Sequence, residues 1–291
     1  MVGRGLSDEK ATFSGGDEMK LIHPVEEATC APAWVRATSL IMKSPGHTCY
    51  NVILGIESPS IVTAEDFRVC DVVDSFLAKH GQDPLSTVAN TIFPAGHYLQ
   101  GGKDGVFDQF PKDYAVFCEN WGTYAGRMTT RNVKPTRQSQ TLVSPLEMIV
   151  TKLRSQLTGS SMRAAYEVGT LNLTDLAEIP LYDATTDCRL VRGGPCLSHL
   201  SFKLLPDKSV MLTALYRSHF YIQRALGNLL GLSQLLQFVA EQVETQAGPL
   251  VCHSTYAKID LGEKDSVWSV DDAAQLITQC LTEYGREPLP V

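Results

Sequence analysis

Cys196 and Arg217 are the residues of this sequence best suited to nucleophilic chemistry. Cys196 follows a Gly193-Gly194-Pro195 turn at the start of an apolar strand pattern, and Arg217 ends the next such pattern. A thiolate is the reactive form of cysteine, and a nearby guanidinium lowers the thiol pKa. We expect a hairpin to place the two residues near opposite ends of its strands, so that contact requires a bend or bulge. The other interpretation is a buried strand cysteine and a surface arginine.

Five further side chains are candidates for acid–base chemistry. His199 and His219 lie in the same strand region, and Glu119, Asp71 and Asp74 are carboxylates upstream of it. A general base must reach the proton that it removes, which a sequence alone does not test. Packed strand histidines and solvated carboxylates are the alternative interpretation of all five.

Composition narrows the class of protein. The chain has 291 residues, of which 44% are hydrophobic and 20% charged, with a net charge of -7. These values are typical of a globular protein, and the acidic balance disfavours a long contact with polymeric nucleic acid. The sequence contains no run of 18 apolar residues, so no membrane helix is predicted. The polar N-terminus lacks the apolar segment of a secretory signal, so we expect a cytoplasmic protein.

The eight cysteines form no CxxC pair and have no zinc-ligand spacing. We therefore expect free thiols and no metal site.

The elements that must position these residues are predicted to form one α+β domain. Residues 1–30 are expected to be a partly ordered arm, and 31–291 a single domain with a mixed sheet. The pattern predicts helices at 64–80, at 144–159 and at 271–284, a loop at 95–115, and a long buried central helix at 222–244. The predicted strands are 49–56, 163–168, 188–191, 197–205, 210–217 and 250–261.

The helix at 64–80 carries a clear start signal. Thr63 is a suitable N-cap, with Asp66 three residues later as an acidic variant of the capping box. The spacing of Phe67, Val73 and Leu77 then predicts the buried face of that helix.

Five short motifs then suggest a family. In order they are Trp121 to Arg127, Ser160-Ser161-Met162-Arg163, Pro195-Cys196, Tyr216-Arg217-Ser218, and Asn228 eleven residues after Arg217. Together they resemble thymidylate synthase and its pyrimidine hydroxymethylase relatives over residues 120–291. The fold that the resemblance implies is a mixed sheet packed with helices around a long buried helix.

The resemblance implies a role for each motif. Cys196 would add to C6 of a pyrimidine nucleotide monophosphate, and Arg217 would stabilise the thiolate and bind phosphate. Arg163 would reach the phosphate from the other subunit of a homodimer with shared active sites. Asn228 would bind the O4/N3 edge of the base. Tyr124 would be catalytic, as a candidate base that removes the C5 proton through water. Tyr124, Arg127 and Ser218 are implied to line the pocket.

The sequence also departs from the family. Leu197 follows the cysteine where the synthases have histidine, and residues 219–224 replace the acidic stretch that contacts folate. The histidine and tyrosine that hold the deoxyribose correspond to Lys258 and Asp260, with His253 the nearest histidine. A carboxylate at Asp260 would accept hydrogen bonds from both hydroxyls of a ribose.

These features predict transfer of a one-carbon unit to C5 of a pyrimidine nucleotide. The resemblance implies 5,10-methylenetetrahydrofolate as donor, and the departures on the folate side favour a hydroxymethyl over a methyl product. Two alternatives stay open: a divergent synthase that methylates dUMP, and a non-catalytic homodimer that binds a nucleotide.

Overall fold

The computed structural model describes residues 21–117, 122–136, 139–158, 178–182, 187, 194–262 and 267–286. Its helices are α1 (Cys30–Lys43), α2 (Ala64–Lys79), α3 (Leu85–Ile92), α4 (Ala95–Asp104), α5 (Phe110–Phe117), α6 (Tyr124–Thr129), α7 (Pro145–Thr158), α8 (Leu226–Val243) and α9 (Val270–Glu283). Its strands are β1 (His23–Glu27), β2 (Thr48–Ile56), β3 (Arg131–Thr136), β4 (Ser139–Val143), β5 (Glu178–Pro180), β6 (Leu197–Leu204), β7 (Val210–Tyr216), β8 (His219–Phe220) and β9 (Ala247–Lys258).

A mixed sheet forms the centre of the fold. Its strand order is β1-β2-β9-β7-β6-β5, with β8 paired to β9 and a separate β3–β4 pair. The pairs β1–β2 and β7–β9 are parallel, whereas β2–β9, β6–β7 and β5–β6 are antiparallel. Along β7 and β9, buried residues alternate with half-buried ones, so one sheet face is covered far better than the other. The predicted α+β class is confirmed.

Helix α8 is the predicted central helix, and it is buried on several faces. A Cβ added to Gly227 would lie 2.7 Å from the Cβ of Val88, and one added to Gly231 would lie 2.7 Å from the carbonyl oxygen of Ala89. The two glycines therefore let α3 approach α8 closely. A π-helical turn, Tyr221–Ala225, leads into the helix and joins it to β8.

Most predicted elements are confirmed, including the strands β2, β6, β7 and β9 and the helices α2, α7, α8 and α9. The capping box of α2 forms as predicted, with the Thr63 hydroxyl accepting from the Asp66 N–H. The buried face of that helix was predicted wrongly in part: Phe67 is 61% exposed, while Val69 is buried. The strands predicted at 163–168 and 188–191 lie outside the described residues.

Two predicted irregular segments are ordered. The arm predicted for 1–30 is too long, because His23–Glu27 pairs in register with Val52–Ile56 of β2 and α1 begins at Cys30. The loop predicted for 95–115 is wrong. This segment forms α4, a π-helical turn at Gly105–Gln109, and α5, with a positive φ of 56° at Gly102 marking a kink.

In the part of the chain that the structure describes, no helix is both long and apolar enough to cross a membrane. The described cysteines are free thiols, as predicted: Cys30, Cys49, Cys252 and Cys280 are buried, and Cys70 and Cys196 are half-buried. Among the same residues, no group of three or more histidine, cysteine or acidic side chains is arranged to hold a metal ion.

Candidate active site

The β6–β7 hairpin places Cys196 directly beside Arg217. Leu197 pairs with Tyr216, and one residue further out the Arg217 N–H donates to the Cys196 carbonyl at 2.9 Å. The pairing has a register shift between Leu197 and His199, the kind of bulge that the sequence-based expectation allowed for. The premise that a regular hairpin separates the two residues was wrong, because in an antiparallel pair the first residue of one strand lies opposite the last residue of the next. The Arg217 guanidinium also donates to the Pro195 carbonyl, with Nη2 at 2.6 Å.

Two positive charges act on the Cys196 thiol. Burial raises the pKa of Cys196, and the charges of Arg217 and Arg224 oppose that rise. Arg217 is exposed, while Arg224 is half-buried in the π-helical turn that precedes α8. The balance leaves a protonated thiol whose ionisation depends on the local positive charge.

Tyr124 fixes the backbone at the nucleophile. Its hydroxyl oxygen accepts hydrogen bonds from the N–H groups of Cys196 at 2.9 Å and of Leu197 at 3.1 Å. Burial is the main cause that raises the pKa of Tyr124 to about 12, so the phenol stays protonated at neutral pH. Helix α6, which carries Tyr124, is capped by the Thr123 hydroxyl. Tyr124 therefore contacts and positions the backbone at Cys196, while its predicted role in a substrate pocket stays a prediction.

Arg127 holds the segment on which Arg217 rests. It forms a two-pronged ion pair with Asp187, at 2.6 and 2.8 Å, and donates to the Leu181 carbonyl at 2.7 Å. The next residue, Tyr182, lies under the Arg217 guanidinium, whose Cζ is 4.8 Å from the ring centroid. Arg127 was predicted to line the pocket; in the structure it orders the support of Arg217 instead.

Asn228 lies in a buried network of side chains. Its amide nitrogen is 2.9 Å from His219 Nε2, and His219 Nδ1 is 2.9 Å from the Ser254 hydroxyl. The Tyr221 hydroxyl is 3.2 Å from the same serine. Burial lowers the pKa of His219 to about 3, so this histidine is neutral and does not serve as the predicted general base.

Tyr216 connects the asparagine network with the cysteine. Its ring stacks on His219 with centroids 4.0 Å apart and planes 3° from parallel. At the other side it pairs with Leu197, next to Cys196. Burial raises the pKa of Tyr216, and nearby Cys196 and Tyr124 act in the same direction. The nucleophile and the asparagine therefore belong to one continuous cluster.

The turn between β7 and β8 carries the predicted pocket residue Ser218. Ser218 is half-buried between Arg217 and His219. The Thr255 hydroxyl donates to the Tyr216 and Arg217 carbonyls, at 3.2 and 2.9 Å, and so fixes this turn on β9.

The three candidates for sugar binding do not form one cluster. His253 Nε2 is 3.0 Å from the Asn51 side chain across the β2–β9 pair. Lys258 Nζ lies 5.4 Å from the centroid of the Phe220 ring. Asp260 is buried and accepts from the Ile222 N–H at 2.9 Å and the Gln223 N–H at 3.2 Å. The expectation that Asp260 accepts hydrogen bonds from a ribose is therefore wrong, because its oxygens hold the start of the turn before α8.

The remaining base candidates lie on β6, on α2 or outside the described residues. His199 belongs to the half-buried positions of β6, which alternate with buried Leu200 and Phe202. Asp74 accepts from the first N–H of α3 at 2.7 Å, and Asp71 lines a groove of about 380 Å³ between α2 and α9. Glu119 and Arg163 fall outside the described residues.

Arg224 is a cation close enough to act on the thiol that no sequence motif identified. Its position four residues before Asn228, one helical turn, is the signal that would have found it.

Comparisons with known proteins agree with the motifs. A protein of Methanococcoides burtonii named "Putative thymidylate synthase" is 31% identical over 166 residues, which are 54% of this chain and 69% of that protein. A protein of the same name from Methanosarcina mazei is 33% identical over 117 residues, 40% of this chain and 46% of that protein. No protein-family model matches the chain.

Among solved structures, thymidylate synthase from T4 phage matches over 79% of this chain and 77% of that one, with 12% identity and a TM-score of 0.41.

Proposed function

This chain belongs to the thymidylate synthase family as a divergent member, and on that premise we propose that it transfers a one-carbon unit to C5 of a pyrimidine nucleotide. The observation that carries the proposal is that Arg217 is held directly beside the nucleophile by two hydrogen-bonded contacts. Its N–H donates to the Cys196 carbonyl, and its guanidinium donates to the carbonyl of the preceding residue. The exposed guanidinium is then suited to pair with a substrate phosphate, since arginine binds such oxygens in a two-pronged geometry.

The chemistry begins at sulfur. The thiol proton leaves to solvent, the Cys196 sulfur bonds to C6, and the electrons of the C5–C6 double bond move to O4 as an enolate. C5 then bonds to the one-carbon unit and loses its hydrogen as a proton. The carrier leaves with the electron pair of its bond to that carbon, which gives an exocyclic methylene while sulfur is still bonded to C6. Water adds to the methylene and loses a proton, and the C6–S bond then breaks to release the product and the thiolate. Asn228 hydrogen-bonds the base edge on which the enolate charge develops.

The described residues do not fit the family's acidic contact with folate. Phe220 stands in that position, with its ring 37% exposed and Lys258 against it, and the nearby Asp260 carboxylate is buried and engaged. The donor is therefore proposed only by class, as a carrier of a one-carbon unit at the methylene oxidation level. 5,10-Methylenetetrahydrofolate is the first member of that class to test. Attack of water on the resulting exocyclic methylene gives the hydroxymethyl product.

We also propose a homodimer in which Arg163 reaches the partner's phosphate site. The less covered face of the sheet supports it, since it presents half-buried apolar side chains, among them Ile53, Leu215 and Val251. Such a face is stabilised by a second copy. Light scattering is expected to give twice the 31.9 kDa chain mass; a monomer would contradict this part of the proposal.

The test is release of tritium from C5 of labelled UMP, dUMP, CMP and dCMP, with and without methylenetetrahydrofolate. Release needs only addition of sulfur, exchange at C5 and elimination, so it reports the adduct before any transfer. We expect release from at least one nucleotide, and loss to background in Cys196→Ala with nucleotide binding retained. Cys70→Ala is the matched control, because Cys70 is also half-buried but lies on α2.

Two results would overturn the transferase. One is equal release by Cys196→Ala and the unchanged protein. The other is binding of a nucleotide without release from any of the four, which would favour the non-catalytic alternative.

A further inference from the structure

His219 is placed to control how Asn228 presents its amide. The imidazole lies between Asn228 and Ser254, with both ring nitrogens 2.9 Å from their partners. His219 is 2% exposed and Ser254 is fully buried, so water does not compete for these hydrogen bonds. The stacked Tyr216 ring and the edge of the Tyr221 ring, 5.3 Å away, hold the imidazole plane.

The hydrogens are assigned from these contacts, with the amide nitrogen of Asn228, rather than its oxygen, facing Nε2 of His219. In this orientation the amide nitrogen donates and Nε2 accepts. A neutral imidazole then carries its proton on Nδ1 and donates it to the Ser254 hydroxyl. Because burial lowers the pKa of His219 to about 3, the ring does not gain a second proton that would remove the acceptor.

The amide of Asn228 therefore cannot invert alone. Inversion would place its oxygen against the acceptor Nε2, which is unfavourable unless the ring proton moves from Nδ1 to Nε2. That move in turn requires the Ser254 hydroxyl to rotate and donate to Nδ1, next to Tyr221. The orientation of Asn228 is thus tied to the tautomer of a buried histidine.

Amide orientation matters because uracil and cytosine present opposite patterns at positions 3 and 4. Uracil offers a donor at N3 and an acceptor at O4, whereas cytosine offers an acceptor at N3 and a donor at N4. One amide hydrogen of Asn228 is committed to His219, which leaves the oxygen and the other hydrogen as one donor–acceptor pair. In a fixed pocket that pair matches one base and opposes the other.

We propose that His219 is a positioning residue that fixes the amide of Asn228 and thereby makes this protein select between uracil and cytosine nucleotides. The proposal rests on the proposed function in one respect, that Asn228 faces the base. His219 itself acts only through the asparagine.

The first test compares base selection in four proteins. His219→Phe keeps a ring to stack on Tyr216 but removes both hydrogen bonds, and His219→Gln restores one acceptor. Ser233→Ala is the matched control, because Ser233 lies on α8 with Asn228 and its buried hydroxyl donates to the Pro59 carbonyl at 2.8 Å. The measured quantity is the ratio of kcat/KM for tritium release from UMP and CMP, and from dUMP and dCMP.

We expect a clear preference for one base in the unchanged protein and in Ser233→Ala. In His219→Phe the ratio should fall about tenfold or more, the scale of one well-placed pair of hydrogen bonds to a base. His219→Gln should recover part of it. An unchanged ratio in His219→Phe, or no base preference in the unchanged protein, would overturn the proposal.

The second test reads the tautomer directly. Long-range ¹H–¹⁵N spectra of ¹⁵N-histidine-labelled protein should show His219 protonated at Nδ1, and a ring protonated at Nε2 would overturn the assignment. Equilibrium dialysis with the same four nucleotides separates the two proposals. If no tritium is released, the transferase fails, while the binding ratio in His219→Phe still decides the selection by His219. If none of the four binds, both fail.

Discussion

Cys196 and Asn228 lie at the two ends of the candidate site, and the contacts that hold them differ in kind. The hydrogen bonds of Cys196 are made through its own backbone: its N–H donates to the Tyr124 hydroxyl, and its carbonyl accepts from the Arg217 N–H. The Arg217 guanidinium is exposed. Around Asn228 the partners are neutral, buried side chains that bond to one another, beginning with His219. The end around Cys196, called the cysteine end below, therefore depends on a solvent-exposed charge. The end around Asn228, called the asparagine end, depends on the direction of hydrogen bonds between buried side chains.

The difference suits the two tasks. A nucleophile must change its charge during the reaction, and the nearby cations oppose the rise in thiol pKa that burial causes. Recognition of a base requires that donors and acceptors keep one arrangement, which a buried neutral network enforces. The predictions below test whether the two ends respond separately.

Arg217→Ala should have the largest effect. We expect C5 exchange to fall by about 100-fold, because one preorganised electrostatic contact is commonly worth that much. The thiol pKa should rise further, so site-specific alkylation of Cys196 at pH 7, followed by mass spectrometry, should slow as well. Arg224→Ala should slow alkylation less, since Arg217 is the stronger of the two influences on the thiol.

Arg36→Ala is the control for Arg217→Ala, because Arg36 is an exposed cation paired with Glu27 away from the hairpin. Alkylation at the same rate in all three variants would refute the charge-based description of the cysteine end. A loss of base selection in Arg217→Ala would show that the two ends are not separate.

Tyr124→Phe should destabilise the cysteine end by roughly 2 kcal/mol, because two N–H groups lose their acceptor in a buried setting. Urea denaturation measures the change in the free energy of unfolding. Tyr50→Phe is the control: Tyr50 is 55% exposed, and its substitution should cost less than about 0.5 kcal/mol. Equal stabilities of the two variants would contradict the positioning role of Tyr124.

Much of the fold could be predicted because local signals were strong. The hairpin strands and α8 have long apolar patterns, and the α2 cap has its two residues at the required spacing. The segment 95–115 was predicted wrongly because its glycine and proline content favours a loop, whereas long-range contacts decide its structure. Tyr98 and Phe107 both pack on Phe238 of α8, with ring centroids 5.1 and 5.6 Å away.

Short motifs singled out Cys196, Arg217 and Asn228, and the structure brings them into one cluster, but their roles stay predictions. The contacts that connect them could not be predicted. Nothing in the sequence indicated that His219 lies between Asn228 and Ser254, since that contact depends on how β8, β9 and the following turn meet. The role of Asp260 at the start of that turn depends on the same packing.

His219→Phe should change how stability depends on pH. The folded pKa of His219 is about 3, below the ordinary value of 6.5, so between these values the unfolded chain binds a proton that the folded chain does not. This difference lowers the free energy of unfolding as pH falls, by up to about 1.4 kcal/mol per pH unit. The variant should lose that slope, which urea denaturation from pH 7 to pH 4.5 measures.

Asp260 contributes a slope of the opposite sign. Burial raises its pKa to about 6, so below that pH the folded chain binds a proton that the unfolded chain does not, and stability rises as pH falls. The wild-type curve is the sum of these contributions, and its difference from His219→Phe isolates the histidine. Parallel curves for the two proteins would mean that His219 is charged or exposed, which would break the description of the asparagine end.

Added salt should produce the smallest effect and separate the two ends most directly. Raising the ionic strength from 0.05 M to 1 M shortens the screening length to about 3 Å, which weakens the attraction between the exposed Arg217 and a thiolate. Alkylation of Cys196 at pH 7 should therefore slow by about a factor of two. The Nδ1–H signal of His219 should not move, because its partners are neutral and buried. A tautomer of His219 that changes with salt would show that charged groups influence the asparagine end. An alkylation rate that does not change with salt would show that the charge of Arg217 does not control the reactivity of Cys196.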